Sequence, residues 1–156
     1  MAYTLICVDV QPEFPVKPEQ DFVPNVCREV ALAMERQANI IFLEYENFGE
    51  TLPEVKQLVN QNRYQRIYYG VKKERDGSVW VRKAVQERAF FSEWFVFVGA
   101  YTGQCVYETV KGINSWFPRS RIEVVADACR DTGNSWHTNG LKELKKLNNV
   151  VILNEV

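Results

Sequence analysis

The sequence has 156 residues, 46% hydrophobic and 25% charged, which suits one domain with a full core and argues against long disordered stretches. Lysine and arginine total 19 against 20 aspartates and glutamates, so no charge surplus points to nucleic acid as a partner. No apolar run approaches the roughly 20 residues of a membrane span, and the strand-like start MAYTLICVDV does not resemble a signal peptide. We therefore expect a cytoplasmic protein with no membrane partner, whose four separated cysteines are free thiols.

Short apolar runs alternate with amphipathic segments along the chain. In chain order the pattern predicts strand 3–10, helix 25–37 after Pro24, strand 39–45, helix 53–63, strand 66–73, helix 79–90 capped by Ser78, strand 94–100, helix 105–117, strand 121–128, helix 135–147, which Gly140 could interrupt, and strand 149–154. This alternation is typical of an α/β fold.

The predicted fold class is a three-layer, Rossmann-like α/β domain over residues 1–156, with a six-stranded, mostly parallel sheet and helices on both faces. The strands LICV, WFVFV and EVVA are continuous apolar runs, as expected of strands buried on both faces. Ligands of such sheets bind beyond the carboxyl ends of the strands, where the strand order reverses. If the first and fourth strands are central neighbours, residues 9–14 and 99–105 lie at that point.

Three kinds of chemically useful side chain fall near this edge. Asp9 directly follows a buried strand, where a carboxylate needs a partner or a functional role. A turn residue is an equally good alternative. Cys105 lies at a predicted helix start, which would lower the pKa of its thiol, although a buried structural cysteine is the commoner case. Lys72 and Lys73 end the third strand, and either could hold the other two groups or be a solvated charge.

Together these residues resemble the isochorismatase-like cysteine hydrolases, the superfamily that includes nicotinamidases and N-carbamoylsarcosine amidase. VDVQPEF at 8–14 is similar to the family's first-strand motif, GAYTGQCV at 99–106 to its nucleophile motif, and VVADACRD at 124–131 to its next strand and turn. The resemblance spans nearly the whole chain. It implies the strand order 3-2-1-4-5-6. It also implies a catalytic set of Asp9, Cys105 and either Lys72 or Lys73, and Lys72 is the preferred lysine because of its spacing.

The resemblance also implies a mechanism. Asp9 takes the proton of Cys105, and the thiolate attacks a carbonyl carbon to form a thioester that water later hydrolyses. The lysine stabilises the charged groups. The backbone N–H groups of Tyr101 and Cys105 form an oxyanion hole, after a cis peptide bond between Ala100 and Tyr101. No cofactor is expected.

One departure from the nicotinamidases concerns their metal site. Those enzymes are similar to one another in an Asp-x-His motif after the second strand and a further histidine, whereas this chain has LEYENFGE at 43–50 and a single histidine, His137. A transition-metal site normally needs several nitrogen or sulfur ligands, so we predict no metal. His137 is expected at the surface or at a helix start, and nicotinamide becomes a less favoured substrate.

Five aromatic residues fall near the predicted edge and could line a pocket for a flat or apolar substrate. Packing within the core or at an interface is the alternative for each of them. They are Phe14, Tyr45, Phe48, Trp80 and Tyr101.

The leading functional hypothesis is a metal-independent cysteine hydrolase that cleaves a C–N bond of a small amide, carbamoyl or ureido substrate. The alternatives are a catalytically silent relative that serves as a binding or scaffold protein, a nicotinamidase-type amidase without the usual metal site, and a redox protein with a reactive thiol. A small molecule is the expected partner. A homo-oligomer, as a dimer or tetramer, is compatible with the apolar and aromatic content.

Overall fold

The computed structural model describes residues 2–12, 14 and 21–155. The strands are β1 (Thr4–Val8), β2 (Asn39–Tyr45), β3 (Ile67–Lys72), β4 (Trp94–Ala100), β5 (Arg121–Arg130) and β6 (Val150–Leu153). The helices are α1 (Phe22–Glu35), α2 (Pro53–Gln61), α3 (Ser78–Arg88), α4 (Tyr107–Trp116) and α5 (Asn134–Lys145), and a short π-helix (Thr102–Val106) leads directly into α4. In the described part of the chain, no helix combines the length and apolar composition needed to cross a membrane.

The six strands form one sheet in the order β3-β2-β1-β4-β5-β6, and every pairing is parallel. The predicted fold class and strand order are therefore confirmed. β1 lies in the centre, with Val8 paired to Leu43 of β2 on one side and to Gly99 of β4 on the other. The first and fourth strands are thus central neighbours, and the strand order reverses between them.

Helices cover both faces of the sheet because successive side chains of a strand point to opposite sides. In β1, Leu5 and Cys7 pack with α1 and α2, whereas Ile6 and Val8 pack with α3, α4 and α5. All four of these side chains are buried. The continuous apolar runs in the sequence therefore reflect a strand with two buried faces, and the architecture has the three predicted layers.

Three local expectations were wrong at helix boundaries. α1 begins at Phe22, so Pro24 lies inside its first turn, where the missing N–H of proline costs no helical hydrogen bond. Ser78 does not cap α3 through its hydroxyl; instead, its backbone N–H donates to Asp76 Oδ1 over 2.8 Å. Gly140 does not interrupt α5, which runs unbroken from Asn134 to Lys145.

The parallel arrangement brings all the carboxyl ends of the strands to one edge. Asp9 follows β1, Tyr45 ends β2, Lys72 ends β3, and Ala100 ends β4. Tyr45 and Lys72 are paired directly across β2 and β3. Residues that are 27 to 91 positions apart in the chain therefore come together at this edge, where the sequence predicts a site.

Candidate active site

A buried ion pair lies at the centre of this edge. Lys72 Nζ donates to Asp9 Oδ2 over 2.9 Å, and the exposed fractions of the two side chains are 2% and 0%. The same ammonium donates to the carbonyl oxygen of Glu74 over 3.2 Å and lies 4.2 Å from the centre of the Tyr45 ring. The charge of Lys72 is therefore held between a carboxylate, a backbone carbonyl and an aromatic face.

The backbone at Asp9 explains how its carboxylate reaches this position. Asp9 has a φ of 51°, in the left-handed region that aspartate tolerates better than most residues, and its N–H donates to the carbonyl oxygen of Leu43 over 2.9 Å. Beside it, Gly99 has a φ of 127°, and a Cβ there would collide with the carbonyl oxygen of Val8. Glycine at position 99 therefore lets β4 approach β1 closely where the carboxylate leaves the strand.

Cys105 lies on the π-helix that follows β4. The carbonyl oxygen of Tyr101 accepts hydrogen bonds from the N–H groups of Gln104 over 3.0 Å and of Val106 over 3.2 Å, so one acceptor organises the turn. The peptide bond between Ala100 and Tyr101 is cis, as the sequence resemblance implies. Cys105 is 3% exposed. The oxyanion role of the Tyr101 and Cys105 N–H groups stays a prediction.

The Cys105 thiol and the Asp9 carboxyl influence each other directly. Asp9 Oδ1 is buried and, among the described residues, has no hydrogen bond of ordinary geometry. The thiol nevertheless interacts with this carboxyl group, and Lys72 interacts with both of them. The structure thus brings together three of the four residues that the sequence nominated for catalysis.

Burial dominates the acidity of this cluster. Loss of solvation raises the pKa of Cys105 to about 12, with a further rise from Asp9 that Lys72 partly opposes. Burial also raises the pKa of Asp9, against the lowering influence of Lys72. Lys72 does lower the pKa of the thiol, but the desolvation of a nearly inaccessible sulfur outweighs it. The expectation of a lowered pKa at the helix start was therefore wrong.

The other two nominated residues have different surroundings. Lys73 is exposed, whereas Lys72 is buried against Asp9, so the structure favours Lys72 in the choice that the sequence left open. Trp80 lies on α3, within the predicted helix 79–90. It packs against Gly70 and under Lys83, whose Nζ is 4.4 Å from the ring centre. It also lines a cavity of about 270 Å³ together with Lys72, Lys73 and Val79.

The other four aromatic residues form one cluster around Phe14. The Phe14 ring stacks on Phe48 at 4.8 Å, meets Tyr101 edge-on at 5.4 Å and lies 6.1 Å from Tyr45. Tyr45 and Phe48 also contact each other, at 5.3 Å. The ammonium of Lys72 lies over the face of the Tyr45 ring, and Tyr101 directly precedes the π-helix that contains Cys105. This aromatic cluster therefore borders the reactive groups. Its role in substrate binding stays a prediction.

Gln11 belongs to the motif VDVQPEF at 8–14, but the sequence did not predict it as a site residue. Its side chain is buried, its Nε2 donates to the carbonyl oxygens of Tyr45 and Gly49, and its Oε1 accepts from the N–H of Tyr45 over 2.8 Å. This amide fastens the loop after β1 to the loop after β2. The signal in the sequence was a glutamine two residues after Asp9, at the edge where a site is predicted, since a polar side chain that becomes buried there needs several partners.

A second group of polar residues that the sequence did not nominate supports the π-helix. Thr102 Oγ1 and His137 Nδ1 are 2.6 Å apart, and the N–H of Gly103 donates to Asp131 Oδ2 over 2.9 Å. His137 lies in the first part of α5, as predicted, but it contacts the π-helix rather than only solvent. Its nearest signal in the sequence was that it is the chain's one histidine.

Metal ligands are not clustered in the described part of the chain. Within residues 2–12, 14 and 21–155, no group of three or more His, Cys, Asp or Glu side chains is placed to hold a metal ion. The candidate site is therefore described by its carboxylate, ammonium and thiol.

Comparison with solved structures identifies similar folds at low sequence identity. The nicotinamidase SaPncA from Staphylococcus aureus has a TM-score of 0.84 and 20% identity, with 100% of this chain and 99% of that chain covered. The MAR1 ribonuclease from Caenorhabditis elegans has a TM-score of 0.82 and 15% identity, covering 97% of this chain and 77% of that chain. An isochorismatase-like hydrolase from Alkaliphilus metalliredigens has a TM-score of 0.76 and 14% identity, covering 97% and 95%.

Sequence comparison gives no match: neither a protein-family model nor a curated protein matches this chain. The structural likeness extends over the full chain, and it shows that this protein has the fold of nicotinamidases and isochorismatase-like hydrolases. At 14 to 20% identity the fold is what the likeness shows, and the chemistry must be argued from the site itself.

Proposed function

We propose that this protein is a metal-independent cysteine hydrolase that cleaves the C–N bond of a small amide, carbamoyl or ureido compound through a thioester on Cys105. One observation carries the proposal: the buried ion pair of Lys72 and Asp9 lies beside a buried thiol at the point where the strand order reverses. The shared fold with hydrolases supports the same conclusion.

A buried ion pair is costly to keep for stability alone. Removing a carboxylate and an ammonium from water costs several kcal/mol each, and apolar side chains of similar size often stabilise a protein equally well. Groups with strongly perturbed pKa values that cluster at a cleft are more often found at functional sites. Asp9 meets this description, because burial raises the pKa of its carboxyl group and its partner Lys72 is inaccessible to solvent.

The first chemical step is a proton transfer. At neutral pH the thiol of Cys105 is protonated, because its pKa is raised to about 12, so it needs a base when the substrate arrives. Asp9 is that base, and burial makes it a stronger one than an exposed carboxylate. As the proton moves to Asp9, the sulfur attacks the carbonyl carbon and the S–C bond forms.

The second step releases the nitrogen. The tetrahedral oxyanion is stabilised by the N–H groups of Tyr101 and Cys105, four residues apart on one turn. When the C–N bond breaks, Asp9 returns its proton to the departing ammonia or amine. Water then attacks the thioester, with Asp9 as its base, and the products are a carboxylic or carbamic acid and the free thiol. Lys72 keeps Asp9 placed and compensates its charge in the deprotonated state.

The aromatic cluster indicates the class of substrate. Phe14, Tyr45, Phe48 and Tyr101 present ring faces and edges next to the reactive groups, which suits a small planar or apolar acyl group. The similar structures include a nicotinamidase and an isochorismatase-like hydrolase, and an amide of an aromatic acid therefore belongs in the test panel.

The experiment is an assay of ammonia release over a panel of aliphatic amides, aromatic amides, carbamoyl compounds and ureido compounds. Cys105→Ser should abolish release, whereas Cys27→Ser, which changes a half-buried thiol on α1, should leave it unchanged. Release that survives in Cys105→Ser would assign the chemistry to other residues. A panel with no turnover, combined with no covalent modification of Cys105 by any member, would favour a binding or scaffold role.

A further inference from the structure

We propose that His137 is a positioning residue for Cys105, acting through the buried hydroxyl of Thr102, and that its protonation changes the geometry of the π-helix. The inference rests on the proposed function for its catalytic meaning, but its structural part can be tested without a substrate. Thr102 opens the π-helix three residues before Cys105, so its side chain is well placed to fix the turn that presents the thiol.

The hydrogen bond itself joins a buried group to a half-buried one. Thr102 is 0% exposed, and its Oγ1 lies 2.6 Å from Nδ1 of His137. A hydroxyl in such a position has no water as an alternative partner. The loss of the imidazole would therefore leave a buried polar group to find a new arrangement within the turn.

Two further contacts tie α5 to the same turn. Gly140 packs so closely on the π-helix that a Cβ there would lie 2.7 Å from the nitrogen of Gly103, and Gly103 itself donates its N–H to Asp131. At Gly140 the contact between α5 and the π-helix is thus backbone against backbone. A change at His137 is transmitted to Thr102 across a rigid contact.

His137 is also open to protons from solvent. It lines a groove of about 620 Å³ between β5, α5 and the end of β6. The charged groups that share this groove are Asp127, Arg130 and Glu155, and Asp131 approaches from the loop before α5. Asp127 is paired with Arg28, and Glu155 is paired with Lys145, so the two carboxylates that line the groove already have ion-pair partners.

Protonation changes what this imidazole can do. Neutral histidine can accept the hydroxyl proton of Thr102 at Nδ1, whereas protonated histidine carries a hydrogen on both ring nitrogens and can only donate. The hydroxyl proton of Thr102 must then turn toward another acceptor inside a fully buried space. We expect the neutral form to hold the π-helix in its reactive arrangement and the protonated form to displace it.

The first measurement uses the fact that the chain has one histidine, so the imidazole signals in an NMR titration belong to His137 without further assignment. The second follows alkylation of Cys105 by iodoacetamide on the tryptic peptide 89–111, which contains no other cysteine. In the wild-type protein, the alkylation rate should change in a step at the pH where the imidazole titrates.

The variants separate hydrogen bonding from titration. His137→Asn places an amide near the position of Nδ1, so it should keep the turn in place and remove the step. His137→Ala and Thr102→Val should each lower kcat on any substrate found by about tenfold, which corresponds to about 1.4 kcal/mol, with little change in KM. The double variant should be no worse than either single one. Asn139→Ala, an exposed change on the same helix, is the matched control.

Several results would overturn the inference. One is an imidazole that does not titrate between pH 5 and 9, and another is a wild-type alkylation profile without a step at the titration midpoint of the imidazole. A third is a step that persists in His137→Asn, which would assign the step to Asp9. If His137→Ala does not fold, the asparagine variant and the NMR titration still decide. Failure of the amidase assay leaves these measurements intact, so the two proposals fail separately.

Discussion

Lys72 and Asp9 are 63 residues apart in the chain, yet the Nζ of one donates to Oδ2 of the other over 2.9 Å in a space that excludes water. Lys72 is the last residue of β3, and Asp9 is the first residue after β1. The strand between them, β2, contributes the Tyr45 ring that covers the ammonium. Both charges are therefore fixed by the sheet itself. These fixed charges and the neighbouring thiol of Cys105 have testable consequences.

Replacing Lys72 should destabilise the protein in a pH-dependent way. Lys72→Met leaves the Asp9 carboxylate buried without its counter-charge, and breaking such a pair costs about 3 kcal/mol of unfolding free energy. The variant can reduce this cost by protonating Asp9. Lys72 lowers the folded-state pKa of Asp9, so its removal should raise that pKa further above the unfolded value, and stability falls as pH rises between those two values. The variant should therefore lose more stability relative to the wild type at pH 8 than at pH 5.

The control for this variant is the next residue. Lys73→Met changes an exposed lysine, so urea unfolding at both pH values should give a free energy close to that of the wild type. Equal losses for Lys72→Met and Lys73→Met would contradict the assignment of the buried role to Lys72.

The pH profile of activity should have an acidic limb at a higher pH than the pKa of an ordinary aspartate. Asp9 must be ionised to take the proton of Cys105, and burial raises its pKa from the usual 3.8. As pH falls through that raised pKa, kcat/KM should fall tenfold per pH unit. Lys72 lowers the pKa of Asp9, so the limb should move to higher pH in Lys72→Met. A limb that stays in place in this variant would mean that another group sets it.

Neutralising Asp9 should affect catalysis and alkylation in opposite directions. Asp9→Asn removes the base, so turnover should be lost. The same change removes a negative group that raises the pKa of Cys105 and leaves Lys72, which lowers it, so more thiolate should form at a given pH. Iodoacetamide should therefore label peptide 89–111 faster in Asp9→Asn than in the wild type. Slower labelling in a folded variant would show that Asp9 does not face the thiol.

Gly99 should tolerate no side chain. Its positive φ and the close approach of β4 to the carbonyl oxygen of Val8 leave no room for a Cβ, so Gly99→Ala should cost about 3 kcal/mol or more. Gly133→Ala is the matched control, because a Cβ there would meet its nearest neighbour, the Trp136 ring, only at 3.9 Å. Thermal unfolding of the two variants measures the difference. Similar melting temperatures would mean that β1 and β4 can separate at little cost.

Much of this arrangement was predictable because it depends on strand ends. Apolar runs located the strands, and parallel strands carry their chemistry at one edge, so Asp9, Lys72 and Cys105 could be expected together before their contacts were known. The choice between Lys72 and Lys73 depends on which face of β3 each side chain takes. The strand buries Gly70 and Lys72 and exposes Val71, an alternation that the sequence alone does not assign to a face.

The rest could not be predicted because it depends on tertiary contacts. The raised pKa of Cys105 comes from its near-complete burial, and no local pattern of glycine and threonine reveals how much protein covers a sulfur. Gly140 was interpreted as a helix breaker, whereas its role is to let α5 lie against Gly103. Trp80 lies on α3, within the helix predicted over 79–90, and its packing against Gly70 is a tertiary contact that the sequence does not show.

The most direct test of the central claim is to trap the acyl group on Cys105. The protein is mixed with a turned-over amide, quenched in acid within one turnover and digested, and peptide 89–111 is weighed by mass spectrometry. We predict that this peptide gains the mass of the acyl group, that hydroxylamine removes it, and that Cys105→Ser shows no gain in mass. Hydrolysis of the same amide with no acyl group on this peptide, or undiminished hydrolysis by Cys105→Ser, would contradict the account.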